Sequence, residues 1–330
     1  MTKTDNTAVP DLVRLVIIMP VYNDWASFAI LCRNIDSLSP SWGARVTIIA
    51  VDDGSFAPPP ADMRVEKLAN IFKIEIISLA CNLGHQRAIA VGLFAASGAN
   101  DHDVVVVADA DGEDRPEDIG RMIKAHRDDR KSVIVGKRAA RSENLTFRIF
   151  YIIYKWTFRC ATGKSIDFGN FSLIPIEKLR ELLYIPESWN HLAATMLRSR
   201  MHLVRLNCVR GTRYAGASSM NLVSLLGHGM SAVSVFNDLV FTRVLALSAA
   251  VVVLSFFVAL VAAFIRLATD IAVPGWATSV VGISGIMVFQ ALILSVVASI
   301  SLLGGRSGVA FIPALQAGQF ISRRSILAMS

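Results

Sequence analysis

Short apolar runs alternate with segments of helical periodicity over most of the chain before residue 240. Apolar runs at residues 14–19, 45–51, 74–79, 104–108 and 132–135 predict strands, and segments such as 84–96 and 116–127 predict helices. Strands that are apolar along their whole length are typical of a parallel sheet covered on both faces. The pattern therefore predicts a doubly wound α/β domain, expected to occupy residues 1–215.

Two much longer apolar runs follow, within residues 244–304. Residues 244–265 carry no charge, and neither do the residues between Asp270 and Arg306. At about 1.5 Å per residue, helices of this length cross a hydrocarbon core of about 30 Å. The alternative is a pair of buried helices in a soluble protein, but both runs exceed the length at which a membrane helix is the usual interpretation. We expect two membrane helices joined by a short loop.

Basic residues predict the orientation of these helices. Arg243 precedes the first run, Arg306, Arg323 and Arg324 follow the second, and the loop has no Lys or Arg beyond the boundary residue Arg266. Because basic residues collect on the cytoplasmic side, both termini and the α/β domain are expected in the cytoplasm. No export signal opens the chain, so we expect a multi-pass protein of the cytoplasmic (inner) membrane with a cytoplasmic tail at 305–330.

The composition and charge of the chain limit the partners and metal centres that it is expected to bind. The chain is 53% hydrophobic and carries a net charge of +7, which suits an anionic membrane leaflet or ordinary surface solvation. No nucleic-acid-binding module accompanies the charge, so no nucleic-acid partner is expected. The cysteines at positions 32, 81, 160 and 208 form no CxxC pair, which argues against a zinc or redox centre.

Polar clusters follow the first four predicted strands, at residues 20–24, 52–55, 82–86 and 109–114. Ligands of doubly wound domains bind beyond the carboxyl ends of the strands, so these clusters are expected to converge there. Asp109, Asp111 and Glu113 repel one another unless a cation joins them, and Mg²⁺ prefers one or two carboxylates together with phosphate oxygens and water. The alternative for this acidic run is a solvated turn.

Asp52 and Asp53 admit two interpretations. Their carboxylates could accept hydrogen bonds from a nucleobase or a ribose. Alternatively, Asp53 and Gly54 only supply the backbone geometry of a turn.

Taken together, the motifs resemble the family-2 glycosyltransferases of the GT-A fold. Among these, the chain is similar to the polyprenyl-phosphate sugar transferases, which include dolichyl-phosphate mannose synthase and the bacterial GtrB-type enzymes. The resemblance rests on the paired C-terminal helices and on MPVYND at 19–24, VDDGS at 51–55, NLGHQRAIAVGL at 82–93, DADGEDRPED at 109–118, IDFGNFSL at 166–173 and RYAGASS at 213–219.

The resemblance implies roles for individual residues. The metal, Mg²⁺ or Mn²⁺, would bind Asp109, Asp111 and Glu113, and catalysis would involve Asp167, Asp111 and Arg138. The family usually has Glu in place of Asp24, and Gln followed by Asp-Pro-Pro in place of residues 113–116. These departures keep the needed oxygen atoms but are expected to affect donor choice or metal affinity. The nucleotide sugar would contact Pro20, Tyr22, Asp24, Asp52, Asp53, Asp109, Ala110 and Arg213.

For the acceptor, the resemblance implies that Arg138, Arg148 and Arg213 grip a lipid phosphate, with Ser218 nearby. Arginine suits this task because its planar fork binds phosphate oxygens in pairs. Arg148 could instead be a surface arginine that snorkels near the bilayer. Asp167 would align the acceptor or accept a residual proton, and its alternative is a structural cap.

Two further segments have an interfacial character: 145–160 is aromatic and basic, and 221–240, within a predicted juxtamembrane helix at 216–243, is apolar at helical spacing. Either could instead be an internal core helix.

The expected reaction is inverting transfer of a sugar from a nucleoside-diphosphate sugar, with UDP as the first guess, to polyprenyl (undecaprenyl) phosphate. Alternatives are another lipid or polysaccharide acceptor, or a non-catalytic membrane scaffold. The resemblance also allows a homo-oligomer.

Overall fold

The computed structural model describes residues 12–59, 68–98, 102–138, 145–215, 222–269, 275–307 and 309–329. These residues fall into two compact units. The first is drawn from Met1–Ile149, Ile166–Val235 and Phe311–Ser330, and the second from Phe150–Ser165 and Phe236–Ala310.

The first unit is built on an eight-stranded sheet. Its strands are β1 (Val13–Val21), β2 (Ala44–Asp52), β3 (Ile71–Leu79), β4 (Val104–Val107), β5 (Val133–Arg138), β6 (Ser172–Pro175), β7 (Leu203–Cys208) and β8 (Ile321–Met329). They lie in the order β7-β5-β6-β4-β1-β2-β3-β8. Neighbours β1–β2, β1–β4, β2–β3 and β5–β7 are parallel, whereas β4–β6, β5–β6 and β3–β8 are antiparallel.

Helices cover both faces of this sheet, as the uninterrupted apolar strands predict. In β1, Leu15 and Ile17 belong to one core cluster while Val16 and Ile18 belong to a second, because successive strand residues point to opposite faces. The helices of the first unit are α1 (Trp25–Leu38), α2 (His85–Ser97), α3 (Pro116–Asp128), α5 (Ile176–Leu183), α6 (Leu192–Arg198), α7 (Leu222–Ser234) and the short α10 (Pro313–Gln316).

The C-terminal segment after residue 310 adds an element that the sequence did not predict. The predicted tail at 305–330 contains α10, a single 3₁₀ turn and β8, which pairs with β3 at the edge of the sheet. The backbone N–H of Ala80 donates to the carbonyl of Phe320 at 2.9 Å, which extends this pairing. An edge strand is held mainly by backbone hydrogen bonds, so its side chains give little sequence signal.

The second unit is dominated by two long helices, α8 (Asn237–Ala268) and α9 (Trp276–Ser307), each long and apolar enough to cross a membrane. Small residues are buried between them, which allows helix backbones to approach closely. α8 begins at Asn237, before the predicted start of the apolar run at residue 244, so its first two turns include the charged residues Asp238 and Arg243. The buried small residues are Ser248, Ser255, Ala262, Ala277, Ser284, Ala291 and Ala298.

Helix α4 (Leu145–Thr162) contributes most of its length to the second unit. It packs against the start of α8, where the rings of Phe158 and Phe236 meet edge to face with centroids 5.8 Å apart. The Arg243 guanidinium donates to the carbonyl of Cys160 at 2.6 Å. The prediction of a mostly parallel α/β domain followed by two apolar C-terminal helices is therefore confirmed; the finer domain boundaries stay predictions.

Candidate active site

The ends of β1 and β2 are joined by hydrogen bonds between their loops. Asn23, in the left-handed region at φ 53°, donates its backbone N–H to Ser55 Oγ at 2.9 Å. Its side-chain oxygen accepts from the backbone of Phe56 at 2.9 Å. Pro20 is buried in β1, whereas the ring of Tyr22 is exposed and lies 6.2 Å from that of Phe56, which is 90% exposed. Two aromatic rings are thus available to a flat ligand at this edge.

The carboxylate of Asp53 is bound to backbone N–H groups of the loop before α2. It accepts from Leu83 at 2.7 Å and from Gly84 at 3.0 Å. Burial raises its pKa, and this effect outweighs the two backbone hydrogen bonds, which lower it. Asp52 likewise accepts from the backbone of Ser55 at 3.0 Å. These contacts support the turn interpretation of the pair, and nucleotide binding by Asp52 and Asp53 stays a prediction.

The acidic run after β4 concentrates negative charge. Burial raises the pKa of Asp111, the charges of Asp109 and Glu113 raise it further, and the Glu113 backbone N–H and Arg213 act in the opposite direction. Asp114 accepts from the backbone N–H of Asp109 at 3.0 Å, and Ala110 is buried beside it. Carboxylates in mutual repulsion favour a cation, since a nearby positive charge stabilises their ionised form.

Two arginines after β7 supply positive charge to this run. Arg213 reaches Asp24 at 2.7 Å and Asp111 at 3.4 Å, and Arg210 forms an ion pair with Glu113. Glu113 is therefore already neutralised by a side chain. Within the described parts of the chain, no group of three or more His, Cys, Asp or Glu side chains is arranged to hold a metal. Asp109 and Asp111 nevertheless fit Mg²⁺, which binds one or two carboxylates and completes its shell with phosphate oxygens and water.

The backbone after β7 runs beside the acidic run. Gly211 N–H donates to the carbonyl of Glu113 at 2.9 Å, and Tyr214 N–H donates to that of Asp111 at 3.0 Å. The Tyr214 ring lies over Gly112, where an added Cβ would come within 2.3 Å of it. These contacts fix Arg213 opposite Asp24 and Asp111.

Asp167, which precedes β6 and caps no described helix, lies between two cations. Arg205 Nε lies 3.1 Å from one of its oxygens, and Lys137 Nζ lies 3.6 Å from the other. Of the predicted acceptor-binding residues, Arg138 lies at the end of β5 and Arg148 in α4. The side chains of Arg138 and Arg148, and the whole of Ser218, lie outside the described part of the structure.

The structure brings together polar residues to which the sequence assigned no role in the site. Arg205 and Arg210 come from the β7 region, where nothing in the sequence pattern separates them from surface arginines. Lys137 had a signal, because it follows the fifth predicted strand and directly precedes Arg138. His85 had one too, since it follows the third strand, and its Nε2 lies 3.3 Å from Asp109 Oδ1.

Comparison with known proteins gives matches in keeping with this geometry. An undecaprenyl-phosphate 4-deoxy-4-formamido-L-arabinose transferase from Pectobacterium carotovorum is 30% identical over 163 residues, which are 49% of this chain and 48% of that enzyme. This chain thus spans about half the length of that relative. The uncharacterized glycosyltransferase YkcC from Bacillus subtilis is 24% identical over 282 residues, which are 82% of each chain.

Among solved structures, glucosyl-3-phosphoglycerate synthase from Mycobacterium tuberculosis, bound to Mn²⁺, UDP-glucose and phosphoglyceric acid, aligns with a TM-score of 0.49 at 12% identity, covering 69% of this chain and 79% of that one. The sequence profile described as "Glycosyl transferase family 2" matches residues 16–183, which cover the sheet from β1 to β6 and the acidic run. The chain therefore belongs to glycosyl transferase family 2.

Proposed function

We propose that the protein transfers a sugar, with inversion, from a nucleoside-diphosphate sugar to polyprenyl phosphate at the cytoplasmic face of a membrane. The observation that carries this proposal is the cluster of Asp24, Asp109, Asp111 and Arg213 at the carboxyl ends of parallel strands. Two helices long and apolar enough to cross a membrane lie in the same chain. A relative named for transfer to undecaprenyl phosphate matches about half of the chain, at 30% identity over 163 residues.

The donor would bind across the ends of β1 and β4. Tyr22 and Phe56 offer exposed aromatic surface to a base, and a uracil nucleotide is the first candidate. Asp109 and Asp111 would hold Mg²⁺ or Mn²⁺, which neutralises the charge that grows on the departing diphosphate. Arg213 pairs with Asp111 and Asp24, and since a guanidinium has five N–H donors, those not used in these pairs can donate to phosphate oxygens.

The acceptor side needs positive charge more than it needs a strong base. A phosphomonoester has a second pKa near 6, so it is largely an anionic nucleophile at neutral pH. Lys137 and Arg205 flank Asp167 and supply two cations beside the carboxylate that would align the acceptor. Arg138, Arg148 and Ser218 remain proposed phosphate ligands.

Membrane attachment is supported by the composition of the second unit. Around α4, Ile152 and Trp156 are exposed next to the exposed basic residues Lys155 and Arg159. Such a helix suits the lipid–water interface, where an aromatic ring sits at headgroup level and basic side chains meet anionic lipid. We propose that α8 and α9 span the cytoplasmic membrane with both termini inside.

Transfer to lipid tests the proposal directly. The full chain in nanodiscs is incubated with radiolabelled UDP-sugars, Mn²⁺ or Mg²⁺ and undecaprenyl phosphate, and label is counted in the organic phase. We expect lipid-linked label that EDTA abolishes and that Asp111→Asn reduces by at least about 100-fold, the size typical of losing one charge-stabilising group. Asp128→Asn, an exposed change at the end of α3, is the matched control. Label found only in water-soluble sugars would refute the proposed acceptor.

A further inference from the structure

We propose that His85 is a positioning residue that orients the Asp109 carboxylate for the metal and diphosphate and ties it to the loop that carries Asp167. The proposal rests on the proposed function. It concerns a side chain that would touch neither the donor nor the metal.

His85 occupies a fixed place in the fold. It is the first residue of α2 and follows Gly84, which adopts a left-handed conformation at φ 88°. The N–H of Gly84 is bound by Asp53, so the turn before His85 is anchored to the end of β2. One residue on, Gln86 accepts from the backbone N–H of Leu192 at 2.9 Å, which anchors the first turn of α2 to α6. The backbone that carries the His85 imidazole is therefore anchored to both β2 and α6.

The ring bridges two segments that are distant in sequence. Its Nε2 lies 3.3 Å from Asp109 Oδ1 and 3.3 Å from the side-chain amide of Asn170. Asn170 belongs to the loop that carries Asp167, and its amide oxygen is buried without a hydrogen-bond partner among the described residues. An Nε2–H that donates to Asp109 can be shared with that oxygen once the amide is turned to face it.

The chemistry of the partner decides which form of the ring fits. An ionised carboxylate only accepts hydrogen bonds, so the ring nitrogen that lies 3.3 Å from Asp109 Oδ1 serves it as an N–H donor. We therefore assign His85 a form that carries its proton at Nε2.

A carboxylate fixed through one oxygen presents the other in a defined direction. Loss of a side chain that orients a metal ligand typically costs about 10- to 100-fold in metal affinity. The same side chain connects Asp109 on the donor side to Asn170 on the acceptor side. We expect its loss to reduce metal affinity more than it reduces the stability of the fold.

Mn²⁺ binding to the full chain in detergent, followed by electron paramagnetic resonance with UDP present, tests this role. We expect His85→Ala to weaken Mn²⁺ binding by about 10- to 100-fold. His85→Gln, whose amide N–H can occupy the position of Nε2, should stay within about 3-fold of the wild type. His202→Gln is the matched control, because His202 also lies near a carboxylate, at 3.7 Å from Asp129, but is 78% exposed and outside the site.

A second readout separates positioning from general damage. In the transfer assay, His85→Ala should raise the Mn²⁺ concentration for half-maximal rate more than it lowers the rate at saturating Mn²⁺, with a melting temperature like that of His85→Gln. Unchanged Mn²⁺ binding in His85→Ala, or equal losses in His85→Gln and His85→Ala, would overturn the role of His85 alone. Failure of the wild type to bind Mn²⁺ with UDP would overturn the metal-dependent function and the role of His85 together.

Discussion

Replacing Gly112 by alanine tests whether the segment after β7 holds the acidic run in place. Gly112 has φ +89°, a conformation that residues with a Cβ rarely adopt, and a strained residue of this kind costs about 1–3 kcal/mol. The new Cβ would also lie 2.3 Å from one carbon of the Tyr214 ring and 2.5 Å from the next. Carbon atoms prefer about 3.5–4.0 Å, so the ring has to move by about 1 Å or more.

Movement of the ring has a further cost. The Tyr214 hydroxyl accepts a hydrogen bond from Asn34 at 2.9 Å, and its loss costs about 1 kcal/mol. Strain and the lost bond together destabilise the first unit by about 2–4 kcal/mol. For a unit of about 240 residues, 2 kcal/mol lowers the melting temperature by at least about 4 °C. Because Arg213 precedes Tyr214, we also expect a higher KM for the donor.

Thermal unfolding followed by tryptophan fluorescence, together with donor titration in the transfer assay, measures both effects. Gly98→Ala is the control, since its Cβ would meet only one atom, at an ordinary 3.9 Å. In the double variant with Tyr214→Ala, the penalty of Gly112→Ala should shrink because the overlapping ring is gone. A Gly112→Ala protein with the melting temperature and donor KM of the wild type would refute this account.

Two further predictions concern stability. Burial lowers the pKa of His191 to about 3, so the folded state loses stability as pH falls below the unfolded value of about 6.5, by up to about 1.4 kcal/mol per pH unit. His191→Asn, which keeps a side chain able to cap α6, should flatten the fall in melting temperature between pH 7 and pH 4; a fall as steep as the wild type's would contradict this. Phe311→Ala removes a ring 4.2 Å from that of Trp189 and should destabilise the first unit by about 2 kcal/mol, less than for a fully buried Phe. Leu315→Ala, at a residue 64% exposed on the same segment, should change the melting temperature by less than about 2 °C, and equal losses in chemical denaturation would argue against docking through Phe311.

The local hydrophobic pattern was enough to predict the strands that are covered on both faces and the long apolar helices. β4 is apolar along its length and β1 is apolar from Leu15 onward, because both of their faces are covered, and the central parts of α8 and α9 are apolar on all sides. Both signals depend on residues close in sequence. The clusters at strand ends could be located for the same reason, since a parallel sheet brings the carboxyl ends of its strands to one edge.

Only the tertiary structure decided which charges meet. Arg213 forms ion pairs with Asp24 and Asp111. Asp167 lies between cations from β5 and β7. A surface arginine and an arginine of the site have the same side chain, and the pairing depends on distances fixed by packing rather than on sequence spacing.

The added strand β8 illustrates the same limit. Its pairing with β3 uses backbone groups that every residue except proline carries, so the sequence does not mark which edge it joins. Sequence by itself therefore determined the covered strands, the apolar helices and the family motifs, because each depends on side chains that are close together in the sequence. The ion pairs of the site, the structural role of Asp53 and the docking of the C-terminal segment were decided by tertiary structure, because each joins groups brought together only by the folded chain.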